Sequence, residues 1–485
     1  ETFAGFMDHT DNEVGRLVHA IDELGALDNT LFIYIMGDNG SSAEGGLEGT
    51  YNELIKLNGL SGVETIENML EKADVWGGPD SFPHMSCGWS VATDAPFRWT
   101  KQVAGDFGGT RNGMVMHWPK GFKSKGEIRS QWHHVNDVAA TILEAAKLPV
   151  PKMINGVVQR PMDGVSMLYA VDNPEAADRH RTQYFEMFGH RSIYHEGWKA
   201  VCPFPGPNFV EAAEKERYFG MPLTAELLND LDANDWELYN VAEDPAETRN
   251  LAAEMPDKVQ EMAQRWYAEA GQYGVLPLAS AELARMNVPR PTVSRPRKQY
   301  TYYPGGAPIA FAAAPRLYNR PHSITADVVV PDGGAEDILM THGCRNSGYA
   351  LFVKDGRLHY IHNYVGLENF EVVSSEPVPT GDVSLRYEFE PTGAPQFREG
   401  KGSPGRFQLY INEQLVGNLE VPFTVPMTFG VLGASCGYAA FDSVNPEIYE
   451  APYRFTGEIK QVVIDVSGEV IKDDEAEMKR LMTQQ

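Results

Sequence analysis

Six consecutive apolar residues, Leu31-Phe32-Ile33-Tyr34-Ile35-Met36, stop abruptly at Gly37-Asp38-Asn39-Gly40. A short unbroken apolar run bounded by turn residues predicts a strand buried on both faces, which few folds can accommodate. What precedes it narrows the choice further. Val14, Leu17, Val18, Ile21 and Leu24 recur at three- and four-residue intervals, with Asp, Glu and His between them. That spacing predicts an amphipathic helix, stopped by Gly25 and followed by a polar turn at Asp28-Asn29. Helix, short loop, buried strand is half of an α/β repeat. The order returns at Gly113-Met114-Val115-Met116-His117-Trp118, which reads as a strand closed by Pro119. Val135, Val138, Ile142 and Leu143 then mark a helix ending near Leu148-Pro149. An α/β sheet with helices on its faces is expected over residues 1–185.

The remainder divides by pattern. Residues 186–284 predict a smaller α+β part, with strands around Thr182 to Phe188, Trp198 to Cys202 and Trp236 to Tyr239, and a helix from about Pro256 to Tyr273. Residues 285–300 carry three prolines and no apolar period, the composition of a linker. Over 301–470 short strand candidates succeed one another: Ser323 to Val330, Tyr349 to Val353, Leu358 to His362, Val383 to Phe389, Phe407 to Ile411, Leu415 to Val421 and Ile459 to Val466. Lys354-Asp355-Gly356-Arg357 predicts a tight hairpin turn. That spacing predicts a β-sandwich, followed by a polar tail over 471–485. With 41 basic against 67 acidic residues the net charge is −26, which argues against nucleic-acid or anionic-lipid partners. No apolar run approaches the roughly 18 residues that span a bilayer. Cys87, Cys202, Cys344 and Cys436 lie far apart, in neither zinc nor disulfide spacing.

Two stretches could carry chemistry. Gly37-Asp38-Asn39-Gly40 follows a strand, where ligands collect in open α/β sheets. Its carboxylate and amide offer the hard oxygen donors that Ca2+ or Mg2+ prefers, and it also reads as a plain turn. Pro96-Phe97-Arg98-Trp99-Thr100-Lys101 leads to Gly108-Gly109-Thr110-Arg111 and the second strand. Lys101 there is either a point cation for an anionic group or an exposed surface lysine. His133, His134, His190 and His195 are further candidates for acid–base work, against partnered or surface histidines.

Taken in order, several motifs resemble the sulfatase family of the alkaline-phosphatase-like superfamily, and bacterial-type arylsulfatases in particular. They begin with Ala4-Gly5-Phe6-Met7-Asp8-His9-Thr10-Asp11 and Val14-Gly15-Arg16-Leu17, followed by Gly37-Asp38-Asn39-Gly40-Ser41-Ser42-Ala43-Glu44-Gly45. Then come Ala95-Pro96-Phe97-Arg98-Trp99-Thr100-Lys101-Gln102-Val103-Ala104 and Phe107-Gly108-Gly109-Thr110-Arg111. His133-His134-Val135-Asn136-Asp137, Met162-Asp163-Gly164-Val165-Ser166, Trp236-Glu237-Leu238-Tyr239-Asn240 and Glu243-Asp244-Pro245 complete the series, which spans residues 4–255.

The resemblance implies a sulfuric ester hydrolase that yields an alcohol or phenol plus sulfate. It implies Asp38 and Asn39 as ligands of a divalent cation, usually Ca2+ with Mg2+ as alternative, and Lys101 as the residue that contacts the sulfate group. The implied partner is a sulfate-ester small molecule or a sulfated glycan. Glu44 either orients the cation loop or is a loop-surface carboxylate, the latter being expected. Relatives often have His where Asp106 stands, and an acid facing the site would weaken sulfate capture. The Cys/Ser-x-Pro-x-Arg segment that supplies a formylglycine nucleophile is absent: Cys202 is followed by Pro203-Phe204-Pro205, and Ser294-Arg295-Pro296-Arg297-Lys298 ends in Lys. The chain is therefore expected to be the C-terminal portion of such an enzyme and inactive alone. The competing readings are a phosphoester or phosphonate hydrolase of the same superfamily, and a non-catalytic glycan-binding protein using aromatic residues of the sandwich such as Tyr360 and Tyr364.

Overall fold

The computed structural model describes residues 1–37, 39–60, 62–203, 224–278 and 297–470. Two compact units emerge: Glu1–Leu47 with Met85–Glu282, and Glu48–His84 with Leu283–Gln485. The boundary departs from a serial division of the chain, because residues 48–84 leave the first unit and pack with the C-terminal strands.

In chain order the first unit opens with α1 (Thr2–Glu23) and β1 (Phe32–Met36). The excursion carries α2 (Glu53–Leu57) and α3 (Ile66–Glu71). The chain re-enters the first unit with α4 (Cys87–Asp94), α5 (Phe107–Thr110), β2 (Gly113–His117) and α6 (Asp137–Ala145). The hairpin β3 (Met153–Ile154) and β4 (Val157–Val158) follows, then α7 (Leu168–Val171). The unit ends with β5 (Thr182–Met187), β6 (His190–His195), β7 (Trp198–Cys202), α8 (Ala225–Asn234), β8 (Glu237–Asn240) and α9 (Pro256–Gln272).

The apolar run at Leu31 to Met36 does form a strand, but not one buried on both faces. β1 pairs antiparallel with β2 in a two-stranded sheet, Ile33 opposite Met116 and Ile35 opposite Met114. Met36 is 47% exposed and Val115 58%, because among the described residues no further strand extends this pair. α1 likewise buries none of its residues. The unit's dense core lies elsewhere. β5-β6-β7-β8 form an antiparallel sheet, and α9 lays Met262, Trp266 and Ala270 on it at helical four-residue spacing. These three pack with Ile193, Ala200, Cys202 and Leu238, and the Trp266 indole donates to the Phe185 carbonyl at 3.1 Å.

Among the described residues the second unit is a sandwich of eleven strands. These are β9 (Gln299–Tyr302), β10 (His322–Val330), β11 (Asp337–Cys344), β12 (Ser347–Lys354), β13 (Arg357–Tyr364) and β14 (Glu368–Pro377), then β15 (Gly381–Pro391), β16 (Gly405–Ile411), β17 (Gln414–Val421), β18 (Ala434–Cys436) and β19 (Glu458–Asp465). One sheet runs β17-β16-β15-β10-β19-β9 and the other β14-β13-β12-β11-β18. The predicted turn joins β12 to β13, with Asp355 and Gly356 both in the left-handed region (φ 50° and 69°), as a primed hairpin turn requires. Strict alternation on β10 sends Ile324, Ala326, Val328 and Val330 inward against Val383, Leu385, Tyr387 and Phe389 of β15.

Residues 48–84 complete this core. Leu54, Ile55, Leu57 and Leu60 lie within it. The fully buried Asn58 donates to the carbonyls of Leu54 and Thr428 at 2.8 and 2.9 Å and accepts from the amides of Met427 and Thr428 at 3.1 and 3.0 Å. Tyr360 and Tyr364 are core residues, 1% and 4% exposed, and do not form an exposed aromatic platform. Among the described residues no helix is long and apolar enough to cross a membrane.

Candidate functional site

The pairing of β1 with β2 positions the site. Met36, the last residue of β1, lies opposite Gly113, the first of β2, so the loop after β1 and the segment before β2 leave the sheet at the same end. Lys101 sits on that segment. Its backbone amide donates to the Ser41 carbonyl at 3.1 Å, and its ammonium reaches the Glu44 carboxylate at 2.9 Å. The two side chains are only 18% and 11% exposed, so neither is an idle surface group. Glu44, expected at the loop surface, is the hub instead: it also accepts from Gln102 at 3.1 Å and from the Ser42 hydroxyl.

The two segments meet without room for side chains between them. Gly40 has φ +76°, and a Cβ there would lie 1.9 Å from the Gly108 carbonyl oxygen. A Cβ on Gly108 would come within 2.2 Å of the Arg98 and Trp99 carbonyl oxygens. Close to Lys101, Trp99 and Gln102 have left-handed φ of 63° and 75°, which cost about 1–2 kcal/mol each for non-glycine residues. The surrounding hydrogen bonds hold them. Gly40 donates to the Asn112 side chain at 3.2 Å, Ser41 donates to Asp94 at 3.0 Å, and Gly108 donates to the Arg98 carbonyl at 2.9 Å. Burial raises the Asp94 carboxyl, with the Ser41 bonds opposing. α4 runs beside the loop, with Thr93 on the Ser41 hydroxyl at 2.7 Å and Ser90 on the Ser42 carbonyl.

Asp38 lies outside the described residues, and its partner Asn39 is half-buried in the loop. Among the described residues no group of three or more His, Cys, Asp or Glu side chains gathers that could hold a metal ion. Asn39 offers one amide oxygen, and Glu44 is engaged by Lys101. The described side chains by themselves do not compose a cation site.

The candidate histidines are elsewhere. His133 and His134 belong to a cluster around the fully buried Asp137, which accepts from the His180 ring at 2.9 Å and from the amides of His134 and Val165 at 2.9 and 2.8 Å. Burial alone would raise the Asp137 carboxyl, yet these bonds and His133 hold it well below the ordinary range. His195 bonds the Thr182 hydroxyl at 2.8 Å, and His190 is buried. Asp106 is also turned away from Lys101's ion pair: its charged neighbours are Arg98, Lys199, Glu237 and Glu247. Sequence reasoning passed over Asp94 and Asn112. The signal that could have found Asn112 is its place immediately before the strand that pairs with β1.

Residues 1–148 match the family model described as Sulfatase. This part of the chain is similar to the sulfatase family. An uncharacterized sulfatase of Schizosaccharomyces pombe is 27% identical over 280 residues, which cover 57% of this chain and 44% of the relative. The chain thus spans less than half the length of that curated sulfatase. A solved structure from work on the metabolism of multiple glycosaminoglycans by Bacteroides thetaiotaomicron is 17% identical, covering 53% of this chain and 42% of its own, with a TM-score of 0.32. The CBM40 of a Ruminococcus gnavus IT-sialidase is 14% identical over 34% of this chain and 83% of its own, with a TM-score of 0.23. The matched residues contain the whole of the Ser41–Glu44–Lys101 arrangement.

Proposed function

We propose that the first unit serves a sulfuric ester hydrolase of arylsulfatase type, which converts a sulfate ester to an alcohol or phenol plus sulfate. The observation that carries this reading is the double attachment of Lys101, by its amide to Ser41 and by its ammonium to Glu44. A partly buried ammonium held beside a strand-end loop is suited to a sulfuryl oxygen, which it binds by a charge-assisted hydrogen bond. Glu44 pairs with that cation, and an entering oxyanion would compete for it. Asp38 and Asn39 would supply two oxygen donors to a divalent cation, Ca2+ or Mg2+, which would offset charge on the same oxyanion. The substrate would be a sulfated small molecule or glycan.

Binding of inorganic sulfate to the full 485-residue chain, followed by calorimetry with Ca2+ present, tests this. One hydrogen bond to a charged group contributes roughly 1.5–3 kcal/mol, so Lys101→Met should weaken sulfate about 10- to 100-fold. Equal affinity in the variant would remove Lys101 from the site. No Cys or Ser in this sequence begins the x-Pro-x-Arg nucleophile motif, so this chain should release no nitrophenol from 4-nitrophenyl sulfate. Turnover by the purified chain would overturn that part.

A further inference from the structure

Asp106 is fully buried, and among the described residues neither of its carboxylate oxygens has a hydrogen-bond partner. An orphaned buried carboxylate is rare, because an ionised group without hydrogen bonds loses its hydration with nothing in return. Its surroundings explain how it persists. Arg98 approaches with Nε 3.7 Å from Asp106, but its Nη1 lies 3.1 Å from Glu237 and also meets the Tyr239 hydroxyl. The ammonium of Lys199, itself fully buried, lies 2.5 Å from Glu247 and 3.8 Å from the centre of the Phe107 ring. Glu247 also accepts from the Phe107 amide at 2.9 Å. Facing Asp106 are therefore two cations, Arg98 and Lys199, and two carboxylates, Glu237 and Glu247. Arg111, over the Phe107 ring, acts on Glu247 as well, so three acids face three bases. Among the described residues none of those bases gives Asp106 a hydrogen bond.

A proton on Asp106 removes the buried charge that has no hydrogen bond. The segment it stabilises is the one that carries Lys101: the Asp106 carbonyl accepts from Gly109 at 3.2 Å and from the Thr110 hydroxyl at 2.9 Å, and Gly108 returns to Arg98. We propose that Asp106 is a positioning residue for the Lys101 segment, holding it in the observed geometry only while it carries a proton. Burial first, and Glu247 second, push its carboxyl up to about 7, which places the change inside the neutral range. The sign follows: a folded-state value above the ordinary 3.8 makes the segment firmest at low pH, with firmness lost as pH rises through about 7. Above that, the ionised carboxylate draws Arg98 or Lys199 from its present partner, and the segment loosens. The consequence for sulfate rests on the anion-site reading given above; the loosening itself does not.

Two measurements on the full chain separate these. Amide hydrogen exchange of residues 96–111, corrected for intrinsic rate, should accelerate about tenfold between pH 6 and pH 9 in the unmodified chain. Asp106→Asn, which keeps the shape and removes the charge, should hold exchange flat across that range. Glu247→Gln should move the transition to lower pH, because Lys199 is then released toward Asp106. Sulfate affinity should fall over the same interval in the unmodified chain and stay level in Asp106→Asn. If exchange is flat in the unmodified chain, or Asp106→Asn keeps the transition, the proposal fails. If exchange behaves as expected but no form binds sulfate, the anion-site reading fails and the positioning role stands. Should Asp106→Asn not fold, Glu247→Gln and the unmodified chain still decide the matter.

Discussion

At the scale of single residues, the site depends on two glycines as much as on any charge. Gly40→Ala would force a left-handed alanine into the space 1.9 Å from the Gly108 oxygen. It should cost at least about 2 kcal/mol and weaken sulfate binding with it, read by thermal melting and calorimetry on the same sample. An unchanged midpoint would mean the loops are not pressed together as described. A second residue-scale prediction concerns protons. His342 and His362 are 3% and 4% exposed in the sandwich core, and burial holds them down to about 4 and about 3. His362 also accepts from the Val425 amide at 3.0 Å, which protonation at that nitrogen would abolish. The unfolded chain takes up these protons near pH 6.5 and the folded chain does not, so stability present above 6.5 is lost as pH falls toward 4. Each histidine contributes roughly 3 kcal/mol to that loss. Urea midpoints from pH 7.5 down to pH 5 should fall steeply, and less so in His362→Gln; parallel curves would exclude the histidines as the cause. Lys101 and its neighbourhood were legible in the sequence because motif order is local. The fate of Asp106 was not, because its partners come from residues more than ninety positions away, at Lys199, Glu237 and Glu247.

Among elements, the segment 48–84 behaves as part of the sandwich core. Truncating Leu54, 1% exposed, to Ala should cost about 2–5 kcal/mol in the sandwich transition. Asn58→Ala, which strips four hydrogen bonds from buried backbone groups, should cost roughly 3 kcal/mol or more. More directly, residues 297–470 made alone should bind a hydrophobic dye and lack a cooperative melt, and fusing residues 48–84 to them should restore one. A sharp melt from 297–470 alone would refute the dependence. The alternation on β10, β15 and β16 was readable from period two. β11 was missed because it is buried on both faces and alternates nowhere: Ile338 serves one core cluster while Leu339 and Met340 serve another. The converse error was β1, whose unbroken apolar run promised two covered faces that the described structure does not supply. Hydrophobic pattern reports what a strand can bury, and neighbours decide what it does bury.

For the whole molecule the governing number is a net charge of −26. Like-charge repulsion favours the expanded chain, and salt screens it over about 10 Å at 0.1 M. Raising NaCl from low millimolar to 0.3 M should therefore lift the thermal midpoint by a few degrees. A drop would mean that attractive surface pairs such as Arg249–Glu254 outweigh the general repulsion. Chain connectivity sets a further demand during synthesis. The leucine-rich stretch at 48–84 leaves the ribosome 299 − 84 = 215 residues before the first sandwich strand arrives. At about 5–20 residues per second that is a wait of roughly 10–40 s with Leu54, Ile55 and Leu57 uncovered, a natural opening for a chaperone to grip the nascent chain.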